Sequence, residues 1–408
     1  MSIYLKKQLA DLLNSYTIKF NMMHIEHSHT AATRRWPHVI YNEEVMREVF
    51  GIEDVAIPLQ DKVDLLHALS ETGLKRLTLG AFVSPRFVPQ MACFEELLRS
   101  FKPKAGVTYL SFIHNQKAKK QAEQHSPPLT VEEELCTLFI DICDIHQRRN
   151  VNRSIEQIMD FWPNQIQDAC DRGIRKASIG VASAWGSNFM GKFTQRYRLS
   201  YIEHQTRLIE SFGLEVHEIS LHDSQSWCLP HEMEEDLKEI KRRWPIVKHF
   251  HVHMHNGRGM ALPCIYAALK TLDPSDTLVI EGTLGGLGGG QYSGNGRAAG
   301  MAATEDVMHM LEGMGIPTGV DMNKLIGCVW QLEKIIGRPS MGHVSKAGPR
   351  PAKSSEFYDA NLPGVESMEG VKHFMLGPKV YEKEAFSPWR EPIAGPYYTE
   401  SNAKHITD

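Results

Sequence analysis

Between Ile246 and Leu262 the chain reads IVKHFHVHMHNGRGMAL, with a histidine at every second position: His249, His251, His253 and His255. A period of two belongs to a β-strand, whose alternate side chains share one face. As a strand, the stretch points His253 and His255 the same way at its carboxyl end. A turn at Asn256-Gly257 and a helical pattern from Met260 follow. Two imidazoles so placed suit one divalent metal ion, since neutral imidazole is the commonest nitrogen ligand. The spacing describes equally well a polar strand end whose histidines meet water or neighbouring groups, because two ligands specify a metal far less than four do.

Four other stretches hold groups that could act on a substrate. TIKFNMMHIEHSHT, residues 17–30, begins as a strand and ends in His24, Glu26, His27 and His29. At the end of a strand, Glu26, His27 or His29 could complete a metal site; the plain alternative is an exposed polar turn. SLHDSQSW ends a strand at Asp223, where a carboxylate could bind metal, orient a ligand or take a proton, or simply cap a turn. GAFVSPRFVPQM sets Arg86 where a strand end meets a helix start, a position suited to an anion. Residues 278–300, LVIEGTLGGLGGGQYSGNGRAAG, include Gly288, Gly289 and the proton donor Tyr292. The loop lacks the strict G-x-G-x-x-G frame and a following acidic residue, and its unit comes last in the chain. A mobile lid that touches substrate through its backbone is the better reading than a dinucleotide loop.

The elements that must hold these groups alternate. About eight strand-then-helix units run through the chain, which predicts a parallel sheet and, by number, a closed (β/α)8 TIM barrel of class α/β; an open doubly wound sheet is the alternative. In either, carboxyl ends of strands gather chemistry at one face. The expected organisation is an N-terminal helix over 1–16, a barrel over 17–336 and a C-terminal arm over 337–408, packed on the barrel or on a neighbouring subunit. Residues 31–44, AATRRWPHVIYNEE, read as an irregular basic segment.

At 408 residues, with net charge -4 and 42% hydrophobic residues, the chain has the composition of a soluble globular protein. Charge balance gives no reason to expect nucleic acid or a membrane surface as partner. The 7 cysteines are widely spaced with no C-x-x-C, which fits reduced thiols in a cytoplasm.

Together these motifs resemble 3-hydroxy-3-methylglutaryl-CoA lyase and its relatives in the metal-dependent TIM-barrel lyase and synthase superfamily. AFVSPRFVPQM is similar to that family's S-F-V-S-P-K-W-V-P-Q-M. RRNVNRSIEQ is similar to K-K-N-I-N-x-S-I-E-E, and HVHMHNGRGMAL to V-H-C-H-D-T-Y-G-Q-A-L. SLHDSQSWCLP matches S-L-G-D-T-I-G-V-G-T-P, and GLGG with ATEDVMHMLEGMGIPTGVDMNKL is nearly the family's own wording. The resemblance spans about residues 58–337. It implies a divalent ion (Mn, Mg or Zn) on His253 and His255, Asp223 at a catalytic aspartate's position, and C–C cleavage or formation at a 3-hydroxy acid or its CoA thioester. A small-molecule substrate and a homodimer follow as expectations. The family's R-D-G triplet, whose Asp binds metal and whose Arg stabilises the enolate, has no counterpart. IEHSHTAATRR offers His27, His29, Arg34 and Arg35 instead, with His29 the leading third ligand. Thr78 stands where the family has a Glu, Asn256 where it has an Asp, and Gly289-Gly290-Gln291-Tyr292 where its lid carries a Cys. The expected substrate is therefore distinct from 3-hydroxy-3-methylglutaryl-CoA.

Overall fold

The computed structural model describes residues 36–113, 115–290, 300–351 and 357. The chain divides after Trp36 into two units, and the architecture below is that of the second. Eight strands carry it: β1 (His38–Glu43), β2 (Arg76–Ala81), β3 (Thr108–Phe112), β4 (Cys136–Asp141), β5 (Lys176–Ala182), β6 (Glu215–Asp223), β7 (His249–Met254) and β8 (Thr277–Gly282). All pair in parallel, in the order β3-β2-β1-β8-β7-β6-β5-β4. Chain order around the wall, with helices between strands, is the (β/α)8 barrel. Among the described residues no ladder joins β3 to β4, and Phe112 and Phe139 on these strands are half exposed.

The helices fall where apolar periodicity and capping residues put them. They are α1 (Leu59–Ser70), α2 (Phe94–Ser100), α3 (Gln116–Gln124), α4 (Asp144–Val151), α5 (Ile155–Asp171), α6 (Gln195–Ser211), α7 (Pro230–Arg243), α8 (Ala261–Thr271), α9 (Thr304–Gly313), α10 (Met322–Ile336) and the single turn α11 (Val344–Ala347). Ser154 starts α5 in a reciprocal capping box with Gln157. Pro230 opens α7, and Lys241, Arg242 and Arg243 close it against the helix dipole. Asp321 caps α10, which ends at the left-handed Gly337. Sequence periodicity had not singled out α10.

One sequence expectation fails. HVIYNE, read as part of an irregular segment, is β1, paired with β8 on one side and β2 on the other. Pro37 and the neighbouring arginines suggested irregularity, yet a proline is tolerated just before a strand and Val39-Ile40-Tyr41 favours extension. The strand expected within 17–30 lies outside the described residues. At the other end, Met341 and Gly342 donate backbone N–H to the Gly285 carbonyl, and Trp330 Nε1 donates to the Ser345 carbonyl. The start of the arm thus rests on α10 and on the turn after β8. Among the described residues no helix is long and apolar enough to cross a membrane.

Strand alternation decides what fills the barrel. On β7, Phe250, Val252 and Met254 are fully buried on the helix side, so His249, His251 and His253 face the lumen. Register carries that face around the wall. Asn42 pairs with Glu281, Glu281 with His253 and His253 with His222. Val181 pairs with Leu221 and Asp141 with Ala182, so the layer runs on through Ala182 to Asp141. One inward layer near the mouth therefore holds Glu281, His253, His222 and Asp141.

Candidate metal centre at the barrel mouth

β7 ends with His253 and His255 buried, 6 and 4% exposed. Their Nε2 atoms stand 3.2 Å apart. Two nitrogens bound to one ion at about 2.1 Å, at roughly 90–110° to each other, are about 3.0–3.4 Å apart, so the pair has the bite of two neighbouring ligands. Behind it, His253 Nδ1 donates to Glu281 Oε2 over 2.6 Å. A carboxylate on Nδ1 fixes the tautomer that leaves Nε2 as the ligating atom. Burial alone would lift the Glu281 carboxyl, but His251 and His253 outweigh it and hold the group well below the usual range. Glu281 was not singled out in the sequence. The signal was available: it sits two residues before the end of TLVIEGT, where register sets it beside His253.

His251 lies one layer deeper. Its Nε2 is 3.3 Å from Glu281 Oε1, at an angle too poor for a hydrogen bond. Burial pulls its pKa down, but Glu281, then Glu218 and Glu44, lift it to about 9. His222 stacks on His253 at 4.9 Å. Burial, reinforced by His253 and His251, holds it well below the normal imidazole value, and its Nε2 is buried with no hydrogen-bond partner among the described residues.

The β1 side of the mouth comes from a π turn, Val45–Val49. Arg47 Nε donates to Glu44 Oε2 at 2.6 Å, its Nη2 lies 2.8 Å from Glu48 Oε1, and its guanidinium covers the Phe112 ring at 4.9 Å. Thr78 donates to Glu44 Oε1. Burial raises the Glu48 carboxyl, but the charges of Arg47, His253 and His255 more than reverse this. Arg47 is thus an arginine held among the mouth's carboxylates, next to a Glu48 that feels the histidine pair, whereas Arg34 and Arg35 lie outside the described residues, as do His27, His29 and Tyr292.

Asp223 is nearly fully buried, and its two oxygens accept the N–H groups of Trp227 and Cys228, each at 2.8 Å. Burial still lifts it to about 6. By register it pairs with Met254, on the face opposite to His253, and it anchors the turn that leads from β6 to α7. Arg86 is exposed in the turn after β2. Gly288 lies against the π turn, where an added Cβ would come within 2.9 Å of the Glu48 carbonyl carbon. Gly288 and Gly300 close the base of the loop through a 2.7 Å backbone bond, with Gly289 buried beside them. Gly300 in turn accepts from Asn256, and Met301 bridges His255. The glycine loop therefore springs from the rim beside the histidine pair.

The donor set fits a divalent ion in part. Two nitrogens converge and one is braced by a carboxylate. Among the described residues no group of three or more His, Cys, Asp or Glu side chains is arranged to hold an ion.

A parallel (β/α)8 barrel with an H-x-H pair at the end of its seventh strand and a glycine loop after its eighth belongs with the metal-site barrel lyases and synthases. The chain is a member of the HMGL-like family, whose model matches residues 43–329. It is 31% identical over 295 residues to the cytoplasmic 3-hydroxy-3-methylglutaryl-CoA lyase of Mus musculus, covering 72% of this chain and 80% of that one. It is 28% identical over 287 residues to hydroxymethylglutaryl-CoA lyase YngG of Bacillus subtilis, covering 70 and 89%. An HMG-CoA lyase from Acenitobacter baumannii, solved with coenzyme A and 3-methylmalate, superposes with a TM-score of 0.63 at 25% identity, over 78% of this chain and 97% of that one.

Proposed function

We propose that the protein is a divalent-metal-dependent carbon–carbon lyase that acts on a 3-hydroxy acyl-CoA thioester, related to 3-hydroxy-3-methylglutaryl-CoA lyase. The observation that carries this reading is the 3.2 Å approach of His253 Nε2 to His255 Nε2, with Glu281 behind His253. When bound, the ion supplies Lewis acidity toward the oxygens of the acyl group. Two imidazoles favour Mn²⁺ or Zn²⁺ over Mg²⁺. The third ligand expected at His29 or His27 falls outside the described residues; Glu48 is the candidate on the described side of the mouth.

The residues divide the remaining work. Arg47, at the same mouth beside Glu48, is the candidate to meet negative charge that develops on the enolate oxygen, a role the resemblance had implied for Arg34 or Arg35. Asp223, with a carboxyl near 6, is the expected base for the substrate hydroxyl; since it lies on the face opposite to His253 and both oxygens accept backbone N–H groups, it can act only if the turn releases it toward the mouth. Arg86 is a station for the anionic part of the thioester. The loop carrying Gly288, Gly289 and Tyr292 excludes water and returns a proton to the enolate. Unpaired thiols at all seven cysteines fit a cytoplasmic site of action, and the C-terminal arm is the surface through which a homodimer would form.

The test is elemental analysis of wild type and His255→Ala, alongside turnover of 3-hydroxy-3-methylglutaryl-CoA and other 3-hydroxy acyl thioesters with and without chelator. About one ion per wild-type chain, lost in the variant, with chelator-sensitive cleavage, is the expected result. A wild type that takes up no ion when offered Mn²⁺, Zn²⁺ or Mg²⁺ overturns the reading. Unchanged metal content in both His29→Ala and His27→Ala would transfer the third position to Glu48.

A further inference from the structure

Inward side chains ordinarily pack a barrel solid, yet two phenyl rings on inward positions of this one stand half exposed. On β4, Leu138 and Ile140 are fully buried on the helix side, so Phe139 and Asp141 face the lumen. On β3, Tyr109 is buried and its hydroxyl donates to Ser70 Oγ on α1, so Leu110 and Phe112 face inward. Phe139 is 38% exposed and Phe112 47%. They sit on the two strands that no ladder joins among the described residues.

Each ring leads to the metal centre. The Arg47 guanidinium lies over Phe112 at 4.9 Å. Phe139 packs on His222 with ring centroids 4.6 Å apart, and His222 stacks on His253 at 4.9 Å with 16° between the planes. The first of these contacts crosses β5, where the residue paired with Phe139 is Gly180, which has no side chain in the way. His222 stands where the motif S-L-G-D has glycine, so its ring is an addition to the lumen in this chain. Its Nε2 is buried with no hydrogen-bond partner among the described residues, so what it contributes to the wall is a ring face. The charged groups beside the rings are engaged. Asp141 Oδ1 accepts the Cys143 N–H and Oδ2 the Ser183 hydroxyl, both at 2.9 Å, and His146 Nδ1 bonds the same Oδ2. Arg47 is held by Glu44 and Glu48. Exposed aromatic faces that adjoin a reaction centre are the lining of a ligand pocket.

We propose that Phe112, Phe139 and His222 form the acyl slot of the metal centre, and that the protein takes 3-hydroxy acyl thioesters whose carbon 3 carries an apolar, ring-sized substituent. This rests on the lyase reading above and names its substrate class. Continuity with the site, through Arg47 on one side and His253 on the other, assigns the slot to the acyl group. In such a substrate the hydroxyl proton leaves, carbon 3 becomes the carbonyl of an apolar aldehyde or ketone, and the bond to carbon 2 breaks. Its electron pair passes into the enolate of the acetyl thioester, which then takes up a proton. The three rings are positioning residues: they hold the substituent, and no bond is made or broken at them.

Calorimetry with Mn²⁺ present compares 3-phenylpropanoyl-CoA, butyryl-CoA and glutaryl-CoA, none of which has the hydroxyl needed for cleavage. Wild type should bind the phenyl thioester about tenfold or more tighter than either of the others, the worth of burying one ring. Phe139→Ala should bring the ratio of phenyl to butyryl affinity close to one. Phe112→Ala, on the other strand, tests the same ratio should Phe139→Ala melt early. His222→Gly should lower the ratio, and His222→Phe, which keeps a ring without the nitrogens, should hold it at the wild-type value. Equal binding of the three thioesters by wild type, tighter binding of glutaryl-CoA, or a ratio that survives in both alanine variants overturns the proposal and leaves the lyase reading standing. Failure of wild type to bind any of the three defeats the lyase reading, and this one with it.

Discussion

Glu43 and Glu281 end neighbouring strands, β1 and β8, one ladder step apart, yet their carboxyls behave in opposite ways. Glu43 faces the helices. It accepts N–H groups from Val45 and Leu284 and the hydroxyl of Thr304, and all of these are neutral. Burial prevails there and pushes it up to about 7. Glu281 faces the lumen, between His251 and His253, and is held far down against the same burial. Position along the strand set the face, and the face set the partners. A buried carboxylate with dipoles around it ties structure together; one with imidazoles around it tunes a site. Glu43 ties the β1 end to the turn below the glycine loop and to α9. Glu281 fixes how His253 presents Nε2.

The contrast should be sharpest in the pH dependence of stability. A carboxyl whose folded pKa is raised contributes stability that is present below its unfolded value, here 4.5, and lost as pH climbs through the folded value. For Glu43 the window is about pH 4.5 to 7 and the loss about 3 kcal/mol. Glu305, lifted by burial and then by Asp306 to about 8, adds a loss of the same sign, and so does His251 as pH approaches 9. Urea denaturation of wild type and Glu43→Gln at pH 5 and 8.5 separates the Glu43 share, because the other groups remain in both. The variant should lose about 2.5 kcal/mol less than wild type across that range, since part of the Glu43 effect is already gone at pH 5. Identical losses would mean that Glu43 is already ionised in the folded state at low pH.

Glu281→Gln addresses the other side. Removing the carboxylate behind a ligating histidine weakens metal binding about 10- to 100-fold. Calorimetric titration with Mn²⁺ should show this for Glu281→Gln and not for Glu43→Gln. If both variants bind as wild type does, the bond between Glu281 and His253 is structural alone.

Much of the frame was legible because burial repeats with the period of the backbone. The alternation of HFHVHM predicted both the strand and the shared face of His253 and His255. Helices such as α7 announced themselves through Pro230, the apolar stripe and the basic last turn. What escaped depended on register and on loops. Glu281 reaches His253 only because β8 pairs with β7 residue for residue. Glu44, Arg47 and Glu48 arrive through a π turn that has no periodic signature, after a strand hidden behind Pro37. Asp223 was legible as a strand end, but its two bonds to Trp227 and Cys228 belong to the conformation of the next turn. Asp141 and His146 gave no pattern, because five residues separate them and the link closes only when α4 folds back over β4.

Glycines at the loop base offer a smaller effect. Gly288 and Gly319 both have positive φ, +88° and +69°, but only Gly288 has backbone against its would-be Cβ. Alanine at Gly319 should cost about 1–2 kcal/mol from backbone conformation alone. Alanine at Gly288 should cost more, and it should also weaken metal binding by moving the Glu48 turn. Thermal melts of the two variants, each with and without Mn²⁺, check this. Equal costs, with metal binding intact, would detach the loop base from the site.

Asp141 stands between the two glutamates in kind, since it meets a hydroxyl and a backbone N–H as Glu43 does and an imidazole as Glu281 does. Ser183 separates those contributions. Ser183→Ala removes the hydroxyl and keeps the left-handed backbone, so it should destabilise by about 1 kcal/mol. Ser183→Gly removes the same bond and relieves the φ of +49°, which offsets most of that loss. Denaturation should therefore place the glycine variant above the alanine variant and close to wild type. The reverse order would mean that glycine's extra freedom in the unfolded chain outweighs relief of the turn. In that case the backbone at Ser183 holds little strain, and the hydroxyl bond to Asp141 is the whole of its contribution.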